Sequence, residues 1–332
     1  MRRILLILAT QYLFLLLLVV TINFFVVYLA PGDAVDVISR GRAEFGEEGL
    51  NEQEKLMLRR YYGLDQPPSQ QFASYVKQLA RGDLGYSFFY HRPAGEIIRE
   101  YAGRTLMVIV VGMLLALLVG LPLGVLSASR RGQPLDSALL VGQIAVHSMP
   151  PFFIATLLLI VFAVELKWLP FSGSGSVNAG APPGWFAGWG NTFYHLTLPA
   201  VALAIWESTT IYYFTRNTLI DILGEEFILT ARAKGVSARG VLIRHALRAA
   251  LPTLIAQFAL MIGVMVGGIF FVEQVFSYPG IASLALTAFH NHDYLLLRGI
   301  FLWLTISILA ANFIADVCMY RFDPRTRETH AI

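Results

Sequence analysis

DILGEEFILTARAKGVSARGVLIRHALRAALP, residues 221–252, is the link between apolar segments that is rich in positive charge. Loops that carry an excess of Arg and Lys stay on the cytoplasmic side of a membrane. The sequence therefore predicts that this link is cytoplasmic, and its basic residues are Arg232, Lys234, Arg239, Arg244 and Arg248.

Helix signals divide the same stretch into two short helices. Phe227, Ile228 and Ala231 are apolar at helical spacing, and Gly235 is free to adopt the left-handed conformation that closes a helix. Ser237 is a suitable cap for a second helix, which would contain Val241, Arg244, His245 and Arg248 at intervals of three and four residues. We expect a compact helical hairpin suited to docking into a groove of another protein.

TARAKG at 230–235 and RHALRAALP at 244–252 resemble the EAA loop of ABC-importer membrane subunits, in the form carried by the dipeptide and oligopeptide permease family. In that family the loop forms a coupling helix that sits in a cleft of the ATPase subunit. The alternative is an ordinary basic loop that only sets topology. The resemblance implies that contact with an ATPase is made by Glu226, Thr230, Ala231, Arg232, Ala233, Lys234, Gly235, Ser237, Arg239 and Arg244.

Composition places the chain in the membrane. Hydrophobic residues make up 56% of the 332 residues and charged residues 14%, which is far from a soluble globular protein. The net charge of +3 comes from arginines at the ends of apolar runs, so we do not expect nucleic-acid binding. The single cysteine, Cys318, excludes an intrachain disulfide and a cysteine metal site.

The lysines exclude ATP chemistry within this chain. None of the four lysines follows a glycine, so a Gly-Lys-Ser/Thr phosphate loop is missing. We therefore expect no enzyme activity and no bound cofactor here, and the resemblance implies that ATP and Mg are used by partner ATPases.

The apolar runs predict an all-α polytopic membrane protein with six transmembrane helices and both termini cytoplasmic. The resemblance implies a type I ABC importer fold. The first run is too long for the core of a signal peptide, which is about 7–15 residues. The predicted spans are 4–30, 105–128, 135–166, 195–223, 253–271 and 295–320. The predicted domains are a first transmembrane helix (1–30), an extracytoplasmic helical insertion (31–102), a five-helix permease core (103–320, with the coupling hairpin at 221–250) and a cytoplasmic tail (321–332).

The insertion at 31–102 has no positive bias that would hold it in the cytoplasm. Two helices are predicted within it, at 52–62 and 70–80. The second places Phe72, Tyr75, Val76 and Leu79 on one face. GLDQP at 63–67 and RGDLGYSF at 81–88 resemble the outer-domain signature of the family.

Glu207 is the leading candidate for the lining of a translocation path. An ionisable residue in a spanning helix costs a few kcal/mol on insertion scales, so it normally faces a cavity or a partner. A structural salt bridge remains the alternative. A second cue is the break at Ser148–Pro151, because interrupted helices often line transport pathways, although a packing kink explains it equally well. The further path candidates are Tyr212, Tyr213, Gln257, Met149 and Pro150.

VEQVFSYPGIASLALTAF at 272–289 resembles the VExVFxxPGxG element of the family, with Ala282 where a second glycine is usual. It is predicted to form a short re-entrant or interfacial helix. The following His290, His292 and Asp293 are residue types that bind metals, and metal binding there stays open.

The resemblance implies a bacterial inner-membrane permease subunit of an ATP-driven importer for peptides or peptide-like solutes. Its partners would be a homologous second permease, two ATP-binding-cassette subunits, an extracytoplasmic solute-binding protein and membrane lipid. Import of nickel, a metallophore or another oligomeric solute by the same machine is one alternative. A secondary transporter that works alone is another.

Overall fold

The computed structural model describes residues 2–28, 35, 39, 51–61, 65–171, 173 and 185–322, and most of these residues are helical. The chain forms two compact units. The first comprises Met1–Arg104 with Gly280–Leu309, and the second comprises Thr105–Pro279 with Ala310–Ile332. The segments 29–34 and 323–332 lie outside the described residues, and the second contains most of the predicted tail.

The first unit begins with α1 (Arg2–Tyr28), α2 (Glu52–Tyr61) and α3 (Pro68–Ala80). A two-stranded antiparallel hairpin follows, with β1 (Tyr86–Ser87) paired to β2 (Arg92–Pro93). The long helix α4 (Ala94–Ser129) starts in this unit and ends in the second. The unit is completed by α10 (Ile281–His290) and the beginning of α11 (Tyr294–Phe322).

The apolar face predicted for 70–80 is confirmed at three of its four positions. Phe24 of α1 contacts the rings of Phe72 and Tyr75, with centroids 5.3 and 5.8 Å apart. Leu79 is partly buried in the same cluster. Val76 is 36% exposed and lies outside this cluster.

The second unit contains the rest of α4, followed by α5 (Pro134–His147) and α6 (Pro151–Leu158), which continues as a π-helix (Leu159–Glu165). Then come α7 (Trp185–Leu223), α8 (Glu226–Ala233) and α9 (Ala238–Val275), in which Val241–Ala246 is a π-helical stretch. The end of α11 belongs to this unit. Helix α7 packs against α5, α6 and α9.

Glycines allow α4 and α7 to approach closely. A Cβ atom at Gly120 would lie 2.5 Å from the Ser208 carbonyl oxygen. One at Gly124 would lie 2.7 Å from the Cβ of Thr215. Such contacts are typical of membrane helices, where small residues bring backbones together.

The count of six spans is only partly supported. Among the described residues, four helices are long and apolar enough to cross a membrane, and there are up to five if the pair α5–α6, bent by 93°, is one span. Helix α7 has 39 residues but is not apolar enough to be counted among them. The reason is its polar sequence between Glu207 and Thr210, which lowers its hydropathy.

Three predicted helix bounds are wrong. Helix α4 begins at Ala94 and α7 at Trp185, each about ten residues before the predicted start. The second helix of the predicted hairpin is not short, because α9 runs without interruption from Ala238 to Val275. The predicted span 253–271 leaves out Pro252, yet this proline lies inside α9. A proline removes one helical hydrogen bond, and membrane helices tolerate that loss.

Candidate coupling and transport site

Helix α8 is anchored by one face and exposed on the other. Ile228 is fully buried and Ala231 is 6% exposed, whereas Phe227 and Leu229 are 44% and 58% exposed. The eight-residue helix is too short to be stable alone, so its buried face fixes its position. The cluster that receives this face includes Ala128, Leu219, Val241, Ala246, Ala250 and Leu254.

The turn after α8 has the geometry predicted from Gly235. Its φ is +80°, and its N–H donates to the Arg232 carbonyl oxygen at 2.9 Å. The Val236 N–H donates to the Ala231 carbonyl oxygen at 3.2 Å. This pair of bonds is a Schellman motif, which ends a helix and redirects the chain.

Ser237 caps the next helix, as predicted. Its Oγ accepts a hydrogen bond from the Gly240 N–H at 3.3 Å. Because Gly235 ends α8 and Ser237 starts α9 two residues later, α8 is joined to a 38-residue helix by a turn of defined geometry.

The residues implied in coupling form a largely exposed surface around this turn. Ala231 is buried and belongs to the anchoring face. The other nine are exposed: Glu226, Thr230, Arg232, Ala233, Lys234, Gly235, Ser237, Arg239 and Arg244. The four cations among them form no ion pair within the described part of the chain. This surface thus presents positive charge and the apolar side chains of Phe227 and Leu229.

Glu207 is buried in α7, with 4% exposure. Within the described residues it forms neither a hydrogen bond nor an ion pair, so the structure shows no salt bridge for it. The hydroxyls of its neighbours Ser208 and Thr209 donate to carbonyl oxygens of their own helix. Gln257 of α9 is partly buried.

The two predicted path tyrosines lie in different surroundings. Tyr212 is fully buried, and its hydroxyl is 2.8 Å from Ser127 Oγ of α4. Tyr213 is partly buried, and its ring lies edge-on to the imidazole of His147 at 6.0 Å. Tyr212 therefore takes part in helix packing, whereas Tyr213 is near the end of α5.

The predicted helix break is confirmed, and it includes Met149 and Pro150. Helix α5 ends at His147, α6 begins at Pro151, and the two are bent by 93°. Met149 is 37% exposed. The imidazole of His147 holds the end of α5 against α7, since its Nδ1 is 2.9 Å from Thr209 Oγ1 and its ring stacks on Trp206 at 5.5 Å.

A buried ionic network, which the sequence reasoning missed, joins α5 to α7. Arg216 donates to Asp136 through Nε at 2.8 Å and through Nη2 at 2.9 Å. The hydroxyl of Ser127 donates to Asp136 Oδ1, and the Gly132 N–H donates to Oδ2 at 3.0 Å. The carboxylate of Asp136 accepts all four of these hydrogen bonds, and each of them stabilises its ionised form. One signal was present in the sequence, because a cation within a predicted span needs a partner.

A second missed contact involves the VEQVF element. The carboxylate of Glu273 accepts from Thr105 Oγ1 at 2.6 Å, and both residues are fully buried. This bond ties the end of α9 to α4 within the second unit.

In the first unit, Asp293 is held by hydrogen bonds. Its Oδ2 accepts from Ser87 Oγ at 2.6 Å and from the Phe89 N–H at 3.2 Å. Its Oδ1 accepts from the Leu296 N–H at 3.2 Å, which caps α11. Asp293 therefore fastens the β-hairpin to the start of α11. In the described part of the chain, no group of three or more His, Cys, Asp and Glu residues is arranged to hold a metal ion.

Within the described residues, four or five apolar helices of spanning length place this chain among multi-pass membrane proteins. The chain belongs to the family of binding-protein-dependent transport system inner membrane components, whose model matches residues 120–328. It is the non-enzymatic membrane component of an ABC importer, and ATP hydrolysis and solute capture reside in other subunits of such systems.

Curated relatives match along nearly the full chain. A probable peptide ABC transporter permease of Sinorhizobium fredii is 32% identical over 92% of both chains. A glutathione transport system permease of Salmonella choleraesuis is 30% identical over 94% of both. An oligopeptide transport system permease of Bacillus subtilis is 30% identical over 94% of this chain and 95% of its own.

Solved structures support the fold. A chain of the MetNI methionine ABC transporter, in an inward-facing conformation, superposes with a TM-score of 0.56 at 17% identity. The match covers 68% of this chain and 96% of the other. At this identity the likeness concerns the fold alone.

Proposed function

We propose that this chain forms one half of the translocation path of an ATP-driven importer for peptides or peptide-like solutes. The names of the curated relatives support this cargo class. The complex would contain a homologous second permease, two ATPase subunits that use ATP and Mg, an extracytoplasmic solute-binding protein and surrounding lipid. The chain itself would bind no cofactor and no nucleic acid.

In this proposal the chain crosses the membrane six times with both termini in the cytoplasm. Helix α7 is one of the six spans, although its hydropathy is lower than that of the other long helices. Its buried polar residues would face helices of the bundle and not lipid. The basic surface around α8 lies on the cytoplasmic side.

The observation that carries the coupling role is the contrast between the two faces of α8. Ile228 and Ala231 are held in the bundle, while Phe227 and Leu229 are exposed. A motion imposed on the exposed face is passed on to α7 and α9, because the buried face packs on Leu219 and Leu254. ATP drives such a cycle only by favouring one arrangement over another.

The first experiment is purification of the tagged chain from gently solubilised native membranes, with mass spectrometry of the proteins that accompany it. A second permease and ATPases with phosphate loops are expected. Reconstitution of the complex with the binding protein should then give peptide uptake that needs ATP. A chain that is recovered alone and transports under an ion gradient without ATP would be a secondary transporter, and the proposal would be wrong.

Coupling through α8 is tested by Phe227→Ser with Leu229→Ser. Both side chains are largely exposed, so the fold is retained, while the loss of apolar contact should release the ATPases during purification and abolish uptake. Arg131→Ala, in the turn between α4 and α5, is the control and should keep both. Full ATPase recovery and uptake in the double variant would show that another surface makes the contact.

A further inference from the structure

Asn23 of α1, Tyr75 of α3 and Arg298 of α11 meet in the first unit. The Asn23 Nδ2 group donates to the Arg298 carbonyl oxygen at 2.9 Å. The guanidinium carbon of Arg298 lies 4.2 Å from the centre of the Tyr75 ring, a cation–π distance. These three residues are called the Asn23–Tyr75–Arg298 cluster.

Each member of the cluster has a buried polar atom without a hydrogen-bond partner in the described part of the chain. The atoms are Asn23 Oδ1, Tyr75 Oη and Arg298 Nε. Asn23 and Tyr75 are only 6% and 4% exposed. A buried polar atom that is left unpaired costs about 1–3 kcal/mol, and three such atoms on touching residues provide hydrogen-bonding capacity for a polar group from outside the chain.

The charge of the cluster specifies an anion. Arg298 forms no ion pair among the described residues, and Asp83 influences it only from a distance. A tyrosine hydroxyl carries its proton at neutral pH, and burial raises the pKa of Tyr75 further. Arg298 Nε and Tyr75 Oη are then two donors that suit an oxyanion. Asn23 Oδ1 is an acceptor, so the ligand must also carry a donor.

The position of the cluster specifies the source of that anion. Asn23 is three residues from the end of the apolar span Leu6–Val26, and Arg298 is four residues from the start of the span Tyr294–Val317. At about 1.5 Å per residue, both lie about 4–6 Å inside the ends of their spans. The third partner comes from α3, which has 13 residues and is not a span. From this depth near a helix end, an arginine side chain reaches the level of the phospholipid headgroups.

We propose that the Asn23–Tyr75–Arg298 cluster binds the phosphate of a phospholipid headgroup. The phosphate oxygens accept hydrogen bonds from Arg298 and Tyr75, and a donor on the same headgroup supplies Asn23 Oδ1. Phosphatidylethanolamine carries both functions. Phosphatidylcholine has the phosphate but no N–H or O–H donor, so it leaves Asn23 unpaired and binds less well.

The test is native mass spectrometry of the full chain, purified in its complex and exposed separately to phosphatidylethanolamine, phosphatidylcholine and inorganic phosphate. Tyr75→Phe keeps the ring beneath Arg298 and removes only the hydroxyl. We expect at least tenfold weaker retention of phosphatidylethanolamine in Tyr75→Phe and in Arg298→Gln. Arg92→Gln is the matched control, since its side chain is 50% exposed, and it should retain the lipid as the unsubstituted chain does.

Two results would overturn the proposal. Equal retention of phosphatidylethanolamine by all four proteins shows that the cluster does not hold the headgroup. Binding of inorganic phosphate without competition from the lipid shows that the anion comes from solution. If Arg298→Gln fails to assemble, the Tyr75→Phe variant tests the proposal by its thermal midpoint. Added phosphatidylethanolamine should raise the midpoint of unfolding of the unsubstituted chain and should not raise that of Tyr75→Phe.

Discussion

Arg216 holds Asp136 through two hydrogen bonds, of 2.8 and 2.9 Å, and so joins α7 to the first turn of α5. The side chains are only 15% and 6% exposed. Breaking a buried ion pair by removing one partner is costly because the other charge stays buried and unpaired. This bridge fixes one end of α5, and the contact of His147 with Thr209 fixes the other.

The first prediction concerns this bridge. Asp136→Ala should destabilise the protein by about 3 kcal/mol, seen as a lower midpoint of thermal unfolding in detergent. Asp136→Ala combined with Arg216→Gln should recover part of the loss, because no unpaired charge remains. The control is Arg104→Gln, which removes a more exposed pair with Glu100 and should cost less than about 1 kcal/mol. If Asp136→Ala and Arg104→Gln lowered the stability equally, the buried ionic network would not contribute as described.

The second prediction concerns the turn after α8. Gly235 has a φ of +80°, so Gly235→Ala should cost about 1–2 kcal/mol, while Gly235→Asn should cost less because asparagine tolerates this conformation. The space around Gly235 is open, so any loss comes from the backbone and not from a clash. Uptake and ATPase activity of the reconstituted complex should fall in the order glycine, asparagine, alanine. Identical uptake and ATPase activity in all three proteins would show that the conformation of this turn does not affect coupling.

The third prediction concerns the contact of α4 with α7. Gly120→Ala should lower the thermal midpoint, because its new Cβ would meet the Ser208 carbonyl oxygen at 2.5 Å, and backbone atoms cannot move aside cheaply. Gly103→Ala in the same helix meets nothing within 4 Å. It should be neutral or stabilising by up to about 1 kcal/mol, since alanine favours a helix over glycine. A neutral Gly120→Ala would mean that the helices are further apart.

The fourth prediction separates a transport role of Glu207 from a structural one. Glu207 is buried without a partner among the described residues, so Glu207→Gln removes the cost of burying a charge and should leave the thermal midpoint equal or higher. If the carboxylate lines the path, peptide uptake should fall at the same time. A variant that is equally stable and transports normally would remove Glu207 from the path candidates.

Much of the site follows from local sequence. Gly235 and Ser237 act within a few residues of themselves, so the turn and the cap of α9 follow from residue type and spacing. The break at Met149 and Pro150 is local for the same reason, because proline cannot donate a helical hydrogen bond. Local sequence does not distinguish the exposed face of α8 from its buried face, since Phe227 and Ile228 are both apolar and only Ile228 is buried.

The sequence by itself determined that this is a membrane protein, that residues 226–240 form a helix, a glycine turn and a capped helix start, and that the chain carries no phosphate loop. These features depend on composition and on hydrogen bonds between near neighbours. Only the tertiary structure decided the partners of Asp136, of Glu273 and of Asp293, because each pairs with residues distant in the chain. Only packing, which sequence spacing does not encode, decided that Tyr212 is enclosed while Phe227 and Leu229 are exposed.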